Sequence, residues 1–238
     1  MELTVLGKYG PYPKAGGACS SYLVACDGLR ILLDAGNGSF SNLQKHMDYR
    51  RLDAILLSHL HSDHTSDLLV MRYAIQNNKV PPIPLYLPDS PGNMYDLFRD
   101  EKAYITTVIT DGMQLRVKGA VITFRKMTHS VESYAVKVEC GGSTLVYSGD
   151  TYMNGDLAGF AAGADTLLCD ANFSNETLPA SPPHLSSAQA AEIAREAGVK
   201  KLLLTHIFPE QDESMLLGQA KAIFENSEIT VEDHTGTI

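Results

Sequence analysis

Six consecutive residues, His59-Leu60-His61-Ser62-Asp63-His64, carry four side chains able to ligate a metal ion. Imidazole and carboxylate together suit zinc and its borderline neighbours. The apolar run at 54–57 just before them reads as a buried β-strand. If the backbone stays extended beyond it, His59, His61 and Asp63 project to one side and His64 to the other. The segment can then serve two ions rather than one. A polar loop with solvated histidines would account for any one of these residues. Four ligand-type residues at this spacing point to a metal centre.

The chain has eight histidines. Outside the cluster, His129, His184 and His206 stand out, because strand ends are where a rigid scaffold presents chemistry. The apolar run at 121–127 precedes Thr128-His129, and the run at 202–204 precedes Thr205-His206. Tyr147-Ser148-Gly149-Asp150-Thr151 repeats the plan, with a glycine that lets an acidic side chain come close to a site.

The elements that must position these residues alternate along the chain. Strands are expected over 2–6, 21–26 and 30–34, the latter two joined by the hairpin signal Asp27-Gly28. Further strands are expected over 54–57, 83–87, 105–109, 114–117, 121–127, 134–139, 144–147, 166–169, 201–204 and near 229–231. Helical patterns cover 42–48, 65–77, 155–162, 187–197 and 213–225, with Ser90-Pro91 opening another. Ser186 or Ser187 with Gln189 caps the helix at 187, and Gly198 closes it. No repeat or linker divides residues 1–238, which reads as one domain of sheets covered by helices on their outer faces.

Composition narrows the partners. A net charge of −9, with 28 acidic and 19 basic residues, disfavours a large nucleic acid, which usually meets a basic surface. A small phosphate ester remains compatible. No apolar run approaches the roughly 20 residues of a membrane span, and the N-terminus lacks the pattern of a signal peptide. The expectation is a cytoplasmic protein whose four cysteines (Cys19, Cys26, Cys140 and Cys169) are reduced and structural.

Taken in order, His59-x-His61-x-Asp63-His64, His129, Asp150 and His206 are similar to the ligand series of the metallo-β-lactamase superfamily of binuclear metallohydrolases. The resemblance runs from Asp34, in Leu32-Leu33-Asp34-Ala35-Gly36, to His206. It implies an α+β, four-layer αβ/βα sandwich of two mixed sheets covered by helices. It also implies that His59, His61 and His129 hold one divalent metal ion, that Asp63, His64 and His206 hold another, and that Asp150 bridges them. Zinc is the first expectation, and the same donors accept manganese or iron. Asp34 would hold the His-rich loop by hydrogen bonds.

The segments around Tyr147–Thr151, His184-Leu185-Ser186 and Lys201–His206 resemble the RNase Z and cyclic-phosphodiesterase branch. That branch implies attack on a small phosphodiester, cyclic phosphate or nucleotide by a hydroxide bridging the metals. Asp63 would orient the water, and His184 would contact the phosphate and protonate the leaving oxygen. Two departures count against tRNA 3′ processing. Only residues 130–149 separate His129 from Asp150, too few for a tRNA-gripping arm, and the loop at 10–20 has Lys14 without that family's following arginine. Tyr12, Lys14 and Asn172 are expected at the substrate mouth. The rival reading is hydrolysis at a carbonyl, of a thioester, lactone or β-lactam, in the manner of glyoxalase II. A redox di-iron role fits less well, because the acidic residue typical between that branch's first-motif histidine and aspartate is here Ser62. The resemblance also suggests a homodimer.

Overall fold

The computed structural model describes residues 1–153 and 156–238. The strands are β1 (Glu2–Gly7), β2 (Ser21–Cys26), β3 (Leu29–Leu33), β4 (Ala54–Leu56), β5 (Ile83–Leu87), β6 (Tyr104–Val108), β7 (Gln114–Val117), β8 (Ala120–Met127), β9 (Ser133–Cys140), β10 (Ser143–Tyr147), β11 (Thr166–Asp170), β12 (Lys201–Thr205), β13 (Ser227–Ile229) and β14 (Thr235–Thr237). The helices are α1 (Ser39–His46), α2 (Ser62–Thr65), α3 (Leu68–Asn77), α4 (Gly92–Tyr95), α5 (Asp156–Phe160), α6 (Ser187–Ala197) and α7 (Glu213–Lys221). The helix expected over 155–162 starts outside the described residues, and its described part is α5. The strands form two seven-stranded sheets, ordered β14-β1-β2-β3-β4-β5-β6 and β13-β12-β11-β10-β9-β8-β7.

The sheets are buried on both faces, which is why β2, β3 and β11 read as continuous apolar runs rather than as alternating ones. Tyr22, Leu33 and Leu56 of the first sheet meet Phe124, Val136, Leu145 and Tyr147 of the second. The opposite face of the first sheet, with Leu32, Ile55 and Leu85, packs on Leu43 of α1 and Met71 and Ile75 of α3. The outer face of the second, with Val146, Leu167 and Leu202, packs on Ile193 and Ala194 of α6 and Leu216 of α7. Helix, sheet, sheet, helix is the four-layer sandwich that the resemblance implied. Ser186 caps α6 in a reciprocal box with Gln189, and Gly198 ends it in the left-handed conformation. The helix expected over 65–77 is broken, because Asp67 N donates to Ala35 O at 3.1 Å and not to the carbonyl four residues back, and α3 starts only at Leu68. β14 was not expected at all.

Strand direction decides where chemistry can gather. β3, β4, β5 and β6 run parallel, as do β10, β11, β12 and β13. Their carboxyl ends share one rim of the sandwich, where α/β sheets place ligands. Asp34, His59, Asp150, Asp170 and His206 all lie at or just past such ends. β8 is antiparallel to β9, itself antiparallel to β10, so His129 arrives at the same rim.

Cys26 ends β2 and Cys140 ends β9, strands that run the other way, so both reach the opposite rim and are joined there by a disulfide. This corrects the expectation of four reduced thiols. Residues 114 positions apart in sequence give no local sign of pairing. Cys19 and Cys169 are free and buried. Among the described residues no helix is long and apolar enough to cross a membrane.

Candidate metal centre

Asp34 is the post on which the His-rich loop hangs. It follows β3 in the left-handed region, with φ of 57°, and is fully buried. Its Oδ1 accepts from Ser58 N at 2.7 Å. Its Oδ2 accepts from Ser58 Oγ at 2.8 Å and Tyr147 OH at 2.7 Å, and lies 2.8 Å from His64 Nδ1. These bonds settle the tautomer of His59 and the ring orientation of His64. The Ser58 hydroxyl gives its proton to Asp34, so it can only accept from His59 Nδ1 at 3.0 Å. His59 Nε2 then presents a bare lone pair inward, and His64, bonded to Asp34 through Nδ1, also aims Nε2 inward. Removing one member of a buried charged network costs about 3–5 kcal/mol. Asp34→Ala should therefore lower the stability of the chelator-treated protein by about that amount in urea titrations; a loss under 1 kcal/mol would deny Asp34 this role.

The chain does not stay extended beyond His61. It turns into α2 at Ser62, with His61 at the cap and Thr65 Oγ1 donating to His61 O at 3.0 Å. Asp63 therefore leaves the side shared by His59 and His61, contrary to simple alternation, and joins His64. Two donor groups result. His61 Nδ1 lies 3.1 Å from His59 Nε2 and 3.2 Å from His129 Nε2. Asp63 Oδ2 lies 3.1 Å from His206 Nε2 and 3.6 Å from His64 Nε2. Asp150 stands between the groups. Its Oδ2 is 3.4 Å from both His59 Nε2 and His206 Nε2, and its Oδ1 is 3.3 Å from His64 Nε2. Gly149 makes the placement possible: its φ is 58°, and a Cβ there would meet Tyr134 O at 2.8 Å and Ser58 Cβ at 2.9 Å.

These side chains fit divalent ions. Donors at the corners of a tetrahedron about zinc, at bond lengths near 2.0–2.1 Å, sit roughly 3.3 Å apart. That is the spacing observed within each group. His64 Nε2 and Asp150 Oδ1 are buried without a hydrogen-bond partner, an arrangement a cation between them would resolve. Charge points the same way. Burial holds His59 and His61 below the usual imidazole range and His129 down to about 4, so this trio is neutral and ready to ligate. On the other side, burial opposes charge on His64 and His206. The carboxylates of Asp150, Asp63 and Asp34 nevertheless hold His64 well above the usual range, and Asp150, Asp170 and Asp63 hold His206 up to about 10. Burial works against a charged Asp150 as well, yet His206, His64 and His59 keep its carboxyl well below the carboxylate range.

An ion entering the second group must displace those protons. Metal uptake by chelated protein at pH 7.5 should release at least one proton per chain, read by calorimetry in buffers of different ionisation enthalpy; uptake without release would contradict this charge state. Chelation should also lower Tm by roughly 10 °C, since a ligand at about a thousand times its Kd adds about 4 kcal/mol. An unchanged Tm would show that the loop does not depend on metal.

Sequence reasoning did not assign Asp170, the last residue of β11. It is 1% exposed, and its Oδ2 lies 3.0 Å from His184 Nδ1. Its Oδ1 lies 3.6 Å from His206 Nδ1. The available signal was the plan already seen at Asp150, a buried strand closing on a carboxylate. His184 packs beside the metal donors, 4.7 Å from the His206 ring and 5.4 Å from the His129 ring, with its side chain 12% exposed. Asn172 does not line the mouth. It is buried, and its Nδ2 donates to Gly10 O at 3.1 Å and His206 O at 2.8 Å. Tyr12 and Lys14 are exposed on the loop at 10–17. Gly10 lies so close to the centre that a Cβ would stand 1.9 Å from His206 Nε2.

The fold and this donor set define a metal-dependent hydrolase. Residues 29–207 match the model of the beta-lactamase superfamily domain, and the chain belongs to that family. It is 30% identical over 236 residues to the probable metallo-hydrolase YhfI of Bacillus subtilis, covering 97% of this chain and 96% of that one. The crystal structure of YhfI superposes with a TM-score of 0.94 at 29% identity, covering 99% and 98% of the two chains. A ribonuclease Z of Archaeoglobus fulgidus is 27% identical, over 98% of this chain and 96% of its own. The crystal structure of a diphosphatase from the PhnP family shares the fold, with a TM-score of 0.79 at 18% identity over 100% and 97% of the chains. The family fold implies divalent metal ions.

Proposed function

We propose that the chain is a binuclear phosphodiesterase that hydrolyses a small phosphodiester or cyclic phosphate. Zinc is the metal we favour, on the nitrogen-rich donor set. The observation that carries the reading is His184, held through Nδ1 by the Asp170 carboxylate and packed against the metal donors without belonging to either trio. Divalent ions held by His59, His61 and His129, and by Asp63, His64 and His206, would supply Lewis acidity and a water of lowered pKa. The protein's own part is then specific. Asp63 orients the water through its second oxygen, and Asp150 keeps the two donor groups at a fixed separation. As the phosphorus–oxygen ester bond breaks, His184 gives a proton to the departing alkoxide and is recharged by solvent, with Asp170 steadying the imidazolium.

Other features set the size of the substrate. Residues 130–149 are taken up by β9, β10 and their turns, which supports a substrate without a long RNA body. The net charge of −9 agrees. The likenesses to a ribonuclease Z and to a PhnP-family diphosphatase support phosphate ester chemistry in this fold. The deciding assay offers metal-loaded protein bis-p-nitrophenyl phosphate, 2′,3′-cyclic nucleotides and a thioester. Turnover of the phosphodiesters supports the proposal; turnover of the thioester alone overturns it.

A further inference from the structure

Aromatic side chains that the reaction above does not use lie beside the histidines of the metal centre and on the segments that adjoin them. Tyr152 stands beside His129, with ring centroids 6.0 Å apart, and Phe173 lies 6.3 Å from the His184 ring. Phe208, two residues past His206, holds Tyr12 edge-on at 5.7 Å. The position of Tyr12 follows from Gly10, whose backbone presses on the His206 ring and whose carbonyl is clamped by Asn172. Two residues on, Tyr12 reaches the rim.

Among the described residues Tyr73 of α3 is 53% exposed, with the Arg72 guanidinium 5.0 Å from its ring, but Tyr22, Tyr134, Tyr147, Phe98 and Phe124 are all within the core. Tyr12 instead leaves 44% of its surface in water. Its hydroxyl is committed to both carboxylate oxygens of Glu210, each at 2.8 Å, so a ligand meets the ring and not the polar tip. Glu210 and Phe208 also hold that ring in one orientation, which lowers the entropy lost when something stacks on it. A flat π-surface pre-set beside a phosphodiester centre favours a neutral planar group over a second phosphate, which the Glu210 carboxylate would repel.

We infer that the Tyr12–Phe208 rim is a subsite for an aromatic or heteroaromatic ring on the substrate, of the nucleobase kind. The inference rests on the phosphodiesterase reading. Stacking of a base on an aromatic side chain is lost on truncation by roughly 5- to 150-fold in affinity.

The test compares adenosine monophosphate with ribose 5-phosphate, which carries the phosphate without the base. Both are titrated into the metal-loaded protein by calorimetry, and no turnover is needed. The wild type should bind the nucleotide at least tenfold more tightly. Tyr12→Ala should collapse that ratio towards one, while Tyr12→Phe, which keeps the ring and loses the bond to Glu210, should keep most of it. An unchanged melting temperature confirms that the variants fold. Equal affinities in the wild type, or an equal loss for both ligands in Tyr12→Ala, would overturn the subsite and leave the phosphodiesterase reading standing. If neither phosphate binds and no phosphodiester is hydrolysed, both readings fall.

Discussion

Asp150→Asn is expected to lower kcat/KM by about 10³-fold or more and to leave the chain unable to hold two metal ions at once. The substitution keeps the shape of the side chain, so packing around Gly149 and Ser58 is preserved. What changes is charge and donor type, because one oxygen becomes an NH₂ group with no lone pair to offer. Asp150 is within 3.4 Å of donors from both trios, through Oδ2 to His59 and His206 and through Oδ1 to His64. Loss of several kcal/mol of electrostatic stabilisation corresponds to that drop in rate. Metal content per chain, measured by elemental analysis after gel filtration, should fall below two. Two ions retained together with activity within tenfold of wild type would refute the bridging assignment.

The second large effect belongs to His184. Replacement by alanine should reduce kcat on 2′,3′-cyclic nucleotides by about 10²- to 10⁴-fold, the usual contribution of a positioned general acid. On the proposed division of donors, His59, His61, His129, Asp63, His64, His206 and Asp150 would hold both ions without it, so metal content is expected not to change. The size of the loss should depend on the leaving group. An alkoxide needs a proton to depart, whereas p-nitrophenolate leaves without one, so bis-p-nitrophenyl phosphate should lose less than tenfold. A role confined to packing would lower both substrates equally, and that result would remove His184 from the proton path. Asp170→Asn keeps the bond to His184 Nδ1 in form but removes the charge behind it. The same leaving-group pattern at smaller amplitude would mark Asp170 as the residue that positions His184.

Some of this was legible along the chain for clear reasons. The His59–His64 cluster is local, and its ligand types declare metal chemistry whatever the fold does with them. Buried strands such as β4 and β11 announce themselves because both faces are covered, and the box of Ser186 and Gln189 at α6 involves neighbours only. β14 escaped notice because Thr235-Gly236-Thr237 has no apolar period and exists only through pairing with β1, more than two hundred residues earlier. The Cys26–Cys140 bond escaped for the same reason. Asp63 was misdirected by a local rule that held only until α2 began at Ser62.

By itself, then, the sequence determined what can be bound. Seven ligand-type residues in and after strand-like runs are properties of residue identity and order, and with the family resemblance they carry they already point to a metal-dependent hydrolase. The tertiary structure decided how the donors divide. Parallel strands brought Asp34, His59, Asp150, Asp170 and His206 to one rim, and the turn at Ser62 sent Asp63 to His64 and His206. The unusual backbone at Asp34 and His206, with φ of 57° and 54°, aimed side chains that no local pattern could have placed. Burial and neighbouring charge then left the histidines of one trio neutral and the two histidines of the other protonated. Those are consequences of distance in space, which depends on contacts between residues far apart in the chain.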